Sequence, residues 1–253
     1  MDMKDLLSDN KSGSTDIAIK LLSLYEDGKL DNSAVEYLYN AFSGMGLVRN
    51  IISRLRSGDK VQPHEVKLEL KKEEESAVKL AVTEFPFKKV ATISAGSMLK
   101  KFVTSSKSLD TLYILESRPM LEGSAMAKEL KSSGIRAIVL TDASMCVAVE
   151  NANAVIVGSD SILGDMTLIH KIGTFPLALC ARRLGKPFIS LSISMKYEEK
   201  FTYNTYPGFQ LHSCNEIAEG IDCINKYFDK TPRDLIDYIV MEDRIMTSKS
   251  SGI

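Results

Sequence analysis

No apolar run in this 253-residue chain is long enough to span a bilayer, and neither a secretory signal nor an Arg-rich presequence is legible. The chain therefore reads as cytoplasmic and reduced, with no membrane contact. An excess of one charge is missing too. Thirty-two Lys and Arg oppose 33 Asp and Glu, and a net charge of −1 supports no direct nucleic-acid binding. The densest charge run, Leu68-Glu69-Leu70-Lys71-Lys72-Glu73-Glu74-Glu75, alternates in sign and reads as a solvated helix face with i,i+4 pairs. Cysteine is sparse and forms no CxxC. Cys214 and Cys223 lack histidines at ligand spacing, so no metal is expected. Cys146 and Cys180 sit in apolar helical contexts and read as small core residues. GxGxxG and the P-loop are both absent, which leaves dinucleotide cofactors and nucleotide hydrolysis unsupported; no cofactor is expected. His64, His170 and His212 are scattered, and no Ser–His–Asp set is legible. Tryptophan is absent, and that excludes nothing.

A hydrophobic share of 44% is enough for a sizeable core. Residues 1–15 are polar and read as a flexible leader. After the N-cap signal Ser14-Thr15-Asp16, Ile17 to Tyr25 has helical spacing. Further helices are predicted after Asn32-Ser33 and after Gly44-Met45-Gly46. A long one opens at Pro63 and runs to about Val82, with Val66, Leu68, Leu70, Val78 and Leu80 in its apolar pattern. No strand signal precedes Phe85, so residues 16–86 are expected to form a helical N-terminal domain. From there the pattern changes. The short β-rich runs Val90–Ile93, Leu112–Leu115, Ala137–Leu140, Ala154–Val157 and Phe188–Leu191 alternate with helical segments. That alternation predicts an α/β fold, a Rossmann-like, doubly wound, mostly parallel sheet over residues 87–253. Thr231-Pro232 ahead of Arg233–Val240 reads as a capped C-terminal helix.

A parallel sheet collects its carboxyl strand ends on one edge, where ligands bind. Four such ends carry polar groups: Ser94-Ala95-Gly96-Ser97, then Glu116-Ser117-Arg118-Pro119 with Glu122-Gly123, then Thr141-Asp142, and Ser159-Asp160. Asp160 offers proton transfer, Arg118 a fork for phosphate, and the Lys171-Ile172-Gly173-Thr174 turn an anion site. Each has a plainer reading. Asp160 and Asp142 suit helix caps, Ser94 and Ser97 suit turns, Arg118 suits an ion pair, and Lys171 suits a solvated surface.

Three stretches, ESRPMLEGSAMAKELKSSGIRAIVLTDASM, VIVGSDSILGDMTLIHKIGT and LALCARRLGKPF, together resemble one superfamily in order and spacing over roughly Gly44 to Val240. It joins the α, β and δ regulatory subunits of translation initiation factor 2B with isomerases of methylthioribose 1-phosphate and ribose 1,5-bisphosphate. The chain's size and helical N-terminal domain resemble the compact archaeal members. The resemblance implies that Asp160 matches the isomerases' catalytic aspartate, and that Arg118, Glu122, Gly123 and Lys171 match positions holding the sugar phosphate. It also implies two departures. Ser94 stands where the isomerases have a cysteine, and Ser43-Gly44-Met45-Gly46 keeps Gly44 of a phosphate-holding turn but not its arginine. A serine hydroxyl is a far weaker acid than a thiol of pKa ~8.5. The expectation is therefore a non-catalytic regulatory member. Its implied partners are a second copy of itself, an initiation factor 2 subunit, and a phosphorylated sugar or nucleotide. The alternative is an aldose–ketose isomerase in which Asp160 moves the proton, aided by Ser94 or a water.

Overall fold

The computed structural model describes residues 2–10, 12–57 and 61–247; the portions of the expected leader, helical domain and tail at 1, 11, 58–60 and 248–253 lie outside the described residues. Five helices come first: α1 Met3–Leu7, α2 Ser14–Glu26, α3 Asn32–Ala41, α4 Gly46–Arg56 and α5 Pro63–Glu84. Residues 1–15 were expected to be a loose leader, but a capping box closes α1. The Asp2 carboxylate accepts from the Lys4 and Asp5 N–H groups at 2.8 and 2.9 Å, and Asp5 accepts from the Asp2 N–H at 2.8 Å. Leu6 is then fully buried, which ties the segment down despite its polar composition. Helix α2 starts earlier than the N-cap signal implies. Gly13 is the cap, and Ser14 and Thr15 lie inside the first turn.

Helix α5 begins at Pro63 as expected, with its missing N–H at a position that needs none. Its buried stripe is Val66, Leu70, Ala77, Val78 and Ala81, so Leu68 falls off the stripe and is exposed. Glu74 lies on that stripe. It belongs to no solvated face, for its carboxylate accepts from Thr15 Oγ1 at 2.7 Å, Ser97 Oγ at 2.8 Å and Lys101 Nζ at 2.7 Å.

The remaining chain alternates strand and helix: β1 Lys89–Thr92, α6 Ser97–Ser105, β2 Thr111–Leu115, α7 Glu122–Glu129, β3 Arg136–Leu140, α8 Met145–Asn151, β4 Ala154–Val157, β5 Ser161–Leu163, β6 Leu168–Lys171, α9 Thr174–Arg183, β7 Phe188–Leu191, β8 Tyr197–Glu198, β9 Phe228–Thr231, β10 Tyr238–Val240 and β11 Ile245–Thr247. The main sheet has the order β11-β10-β7-β4-β1-β2-β3, parallel except for β11. The order reverses between β1 and β4, which opens a crevice beyond their carboxyl ends. Both sheet faces are covered. One shares a continuous core with the N-terminal helices, including Leu21, Leu47, Ile52, Leu70, Leu112 and Ile156. The other packs Ala91, Val155, Val157, Leu177 and Phe188 beneath α8 and α9.

Two expectations are corrected here, and one feature is new. Arg233–Val240 is not a helix. Pro232 permits a single 3-10 turn at Arg233–Leu235, and Tyr238–Val240 then pairs with β7, burying Ile239 and Val240. A small second sheet, β8-β5-β6-β9, stands beside the crevice and had no expectation attached to it. Finally, the cysteines are paired, Cys146 with Cys180 and Cys214 with Cys223, at Cα–Cα distances of 5.2 and 5.6 Å. Helices α8 and α9 pack side by side, which brings Cys146 to Cys180, and Cys146 is exposed at that contact.

Candidate functional site

The short second sheet fixes the site. Ser161 of β5 opposes Ile169 of β6, and the Asp160 N–H donates to the Ile169 carbonyl at 2.9 Å. Asp160 is thereby held at the end of β4, beside Ile169 of β6. The Gly46 N–H donates both to the Asp160 carbonyl at 3.0 Å and to Ser161 Oγ at 2.8 Å, which brings the Ser43–Gly46 turn to the same place. A Cβ at Gly44 would strike the Phe228 ring, so only glycine lets this turn approach β9. Arg49 of α4 anchors the joint from behind, with Nη2 2.5 Å from the Glu198 carboxylate and both side chains buried.

Around these groups lies a cavity of ≈ 440 Å³. Its walls carry Gly44, Ser94, Glu122, Asp160, His170, Lys171 and Lys196, together with the first residues of α2 and of α6. Neither helix has a side-chain cap, so the unspent N–H groups of both N-termini lie in the cavity wall with their partial positive charge. Lys171 and Lys196 are 6% and 4% exposed, so their charge is barely diluted by solvent. Lys196 Nζ donates to the Ser159 carbonyl at 2.8 Å. Burial pushes its pKa down, and the carboxylates of Glu74 and Asp160 partly restore it. Lys171 Nζ is paired with Glu122 Oε1 at 2.8 Å.

Burial raises the Asp160 carboxyl to about 6, although Lys196, the Ser14 hydroxyl and Lys171 all favour its charged form. It can exchange a proton near neutrality. Glu74 also suffers burial, but Lys196 and its three hydrogen-bond donors outweigh that and hold it below the usual range. His170 is pushed down to about 3 by burial first, then by Lys196 and Lys171, so it is neutral.

Ser94 follows β1 with φ 73°, in the left-handed region that L-residues rarely enter. Its N–H donates to Ser117 Oγ at 2.8 Å and its hydroxyl to Glu122 Oε1 at 3.2 Å. The same Glu122 oxygen carries the Lys171 ion pair, so among the described residues the one carboxylate bound to the Ser94 hydroxyl is already paired with a cation.

Three other expected residues serve the walls rather than the interior. Arg118 does not line the cavity. Its guanidinium donates to the Ile217 carbonyl at 3.0 Å and the Glu216 carbonyl at 3.4 Å, pinning a covering segment. Gly123 lets α7 sit against β2, since a Cβ there would collide with the Leu115 carbonyl. Asp142 clamps the turn after β2, accepting from the N–H groups of Ser117 and Arg118 at 2.9 and 2.7 Å. The backbone donors expected of the Lys171–Thr174 turn are spent inside the protein. Asp229 Oδ2 accepts from the N–H groups of Gly173 at 2.8 Å and Phe175 at 3.1 Å. That turn therefore contributes the Lys171 ammonium alone.

Lys196, His170, Glu74 and the start of α2 were not singled out as site residues. A signal existed for Lys196: Phe188–Leu191 reads as a strand, and its carboxyl end leads through Ser192 to Lys196. The covering segment, which supplies His212, Glu216 and Tyr227, had none. There Tyr227 donates to Glu216 at 2.7 Å, and its ring stacks on His212 at 3.5 Å.

A carboxyl at the switch point, two buried ammonium groups and two uncapped helix N-termini give this α/β protein a crevice that gathers positive charge around one titratable carboxyl. The chain belongs to the Initiation factor 2 subunit family, which it matches over residues 63–248. It is 30% identical over 155 residues to a ribose 1,5-bisphosphate isomerase of Archaeoglobus fulgidus, covering 59% of this chain and 49% of that protein. It is 31% identical over 178 residues to a methylthioribose-1-phosphate isomerase of Geobacillus thermodenitrificans, covering 62% and 48%. The chain thus spans about half the length of the curated relatives it matches. The Pyrococcus horikoshii translation initiation factor eIF-2B superposes with a TM-score of 0.82 at 21% identity, over 97% of this chain and 95% of that one. A subunit from the tetrameric eIF2B-beta2-delta2 complex of C. thermophilum gives 0.69 at 17% identity, over 97% and 89%. These superpositions establish a shared fold.

Proposed function

We propose that this chain is a regulatory, non-catalytic member of its family that binds a phosphorylated sugar or nucleotide in the cavity and acts by associating with proteins. The observation that carries the reading is Ser94. Its hydroxyl needs a base to become an acid–base group, and the Glu122 oxygen it touches is already paired with Lys171. Asp160 is left without a second proton-transfer group where an isomerase of this family has its thiol. The anion-binding elements are nonetheless intact, since Lys171, Lys196 and the two helix N-termini offer charge and N–H donors to a phosphate. Self-association and an initiation factor 2 subunit are the proposed protein contacts. The likeness to a subunit of a tetrameric complex favours the first. The second reading, an aldose-phosphate isomerase using Asp160, is favoured by the position of that carboxyl near neutrality. Calorimetric titration with ribose 1,5-bisphosphate and methylthioribose 1-phosphate separates the two when each titrated sample is then assayed for the ketose. Heat of binding with unchanged aldose is expected. Conversion at ordinary enzyme rates selects the isomerase.

A further inference from the structure

The segment that covers the crevice has no apolar anchor of its own. Of residues 211–226 only Asn225 is buried, while Leu211, Ile217, Ile221 and Ile224 are exposed. Polar contacts hold it instead. Glu216 accepts from the Tyr227 hydroxyl at 2.7 Å and from Asn10 Nδ2 at 3.2 Å, and Arg118 donates to the Glu216 and Ile217 carbonyls. A segment with few buried apolar contacts and exposed hydrogen bonds opens locally at low cost. What joins its two legs covalently is the Cys214–Cys223 disulfide.

The disulfide sits where the legs run side by side. The His212 N–H donates to the Asn225 carbonyl at 2.9 Å, Asn225 Nδ2 donates to the Ser213 carbonyl at 2.8 Å, and the His212 ring stacks on Tyr227. Glu216 and Ile217, through which Asn10 and Arg118 grip the segment, lie inside the closed ring. His212 and Tyr227, which line the cavity, flank it. Cys214 and Cys223 are half-buried, so a reductant reaches them from solvent. The Cys146–Cys180 disulfide differs. It joins α8 and α9, which already bury Ala148, Val149, Leu177 and Ala178 in one core, so breaking it leaves their packing in place.

We propose that Cys214 and Cys223 form a redox switch for the covering segment. As a disulfide they hold it over the crevice and slow the exit of a bound ligand; as two thiols they let it open. The statement about ligand exit rests on the sugar-phosphate or nucleotide reading given above. The step is exchange with an external dithiol. One of its thiolates attacks a sulfur of the disulfide, giving a mixed disulfide and one free cysteine thiol. Its second thiol then attacks the mixed disulfide, and the dithiol leaves as its own disulfide. Two electrons and two protons pass to Cys214 and Cys223. Oxidised glutathione reverses the step, taking the same electrons and protons to become two glutathione thiols. The effect on the segment comes from the freedom regained by a ring whose ends are 9 residues apart in sequence.

The test is hydrogen–deuterium exchange of the whole chain, read by mass spectrometry after oxidised glutathione and again after dithiothreitol. Reduction should speed exchange at residues 212–226 about tenfold or more and leave β1, β2 and β4 unchanged. Returning the sample to oxidised glutathione should slow it again. The variant Cys214→Ser/Cys223→Ser should exchange at the fast rate with or without reductant, and Cys146→Ala/Cys180→Ala should respond as the wild type does. Should the alanine pair fail to fold, the wild type and the serine pair carry the comparison. Ribose 5-phosphate should leave the reduced protein about tenfold faster than the oxidised one. Exchange at 212–226 that ignores reduction, or a response to reductant that survives in the serine pair, overturns the switch. A ligand that leaves both forms at the same rate overturns its control of the crevice. If ribose 5-phosphate binds neither form while exchange still follows the redox state, the ligand-binding reading falls and the switch of the segment stands.

Discussion

Ser94 and Lys196 divide the work of the site between what it lacks and what it keeps. Replacing Ser94 by cysteine puts a thiol beside Glu122 and across the crevice from Asp160, and a thiol's pKa lies within reach of tuning toward neutrality. Ser94→Cys should raise turnover of ribose 1,5-bisphosphate by about tenfold or more over the wild type, in line with the ordinary worth of one acid–base group. A variant that turns over no more substrate than the parent would mean that the absence of a thiol at residue 94 is not what limits turnover. Lys196 belongs to the proposed phosphate site. Its ammonium is buried and its removal takes a charge-assisted donor from the phosphate, a loss of about 1.5–3 kcal/mol. Lys196→Met should therefore weaken the sugar phosphate roughly tenfold to a hundredfold by calorimetry. It should also raise the pKa of Asp160 further, because Lys196 leads the groups that favour its charged form.

Helix α7 meets strand β2 at Gly123, where no side chain fits against the Leu115 carbonyl. Gly123→Ala should cost about 1–3 kcal/mol in denaturant unfolding, the usual penalty for overpacking. The loss should appear as stability rather than as a change in ligand chemistry, because Gly123 shapes the wall only. Elements also differ in how readable they were. The five strands around the switch point stood out because each is an apolar run bounded by a turn, with helical segments between one run and the next. Residues 235–241 misled because Leu235, Ile236, Ile239 and Val240 suit a helical stripe as well as a buried strand. The second sheet escaped because β5 and β8 are three and two residues long, too short to set a period. The cavity followed the same division. Asp160, Ser94, Glu122 and Lys171 sit at or near predicted strand ends and came together as expected. His212, Glu216 and Tyr227 arrive on an irregular covering segment that no periodicity reveals. The pairing of Cys214 with Cys223, which closes that segment, is a fact of three-dimensional proximity.

At the scale of the whole molecule, several carboxyls hold their protons more tightly when folded. Asp160 is raised to about 6, chiefly by burial. Asp229 is raised to about 7 by burial, against the N–H groups it caps, and Glu73 to about 7 by burial and then by Glu242 and Glu69. A carboxyl raised on folding stabilises the protonated folded state, so stability is lost as pH rises through the folded value. His170 has the opposite sign: its depressed pKa leaves stability intact above the unfolded value of 6.5 and lost progressively below it. Melting temperature should therefore rise as pH falls from 8 to about 5, less steeply below 6.5 than the three carboxyls alone would give, because the single His170 opposes them there. Asp229→Asn keeps an acceptor for the α9 N-terminus and removes a titrating proton, so it should flatten the rise. A melting temperature that falls steadily from pH 8 to pH 6.5 would contradict this assignment.

The central claim is that an anion-binding crevice has been kept while half of a proton-transfer pair has been lost. Phosphorus NMR of the wild-type protein with saturating ribose 1,5-bisphosphate, followed over hours, addresses it most directly. The account predicts phosphate resonances shifted or broadened by binding and an aldose that persists unchanged. Appearance of the ketose on the timescale of ordinary catalysis, or resonances that never sense the protein, would contradict it.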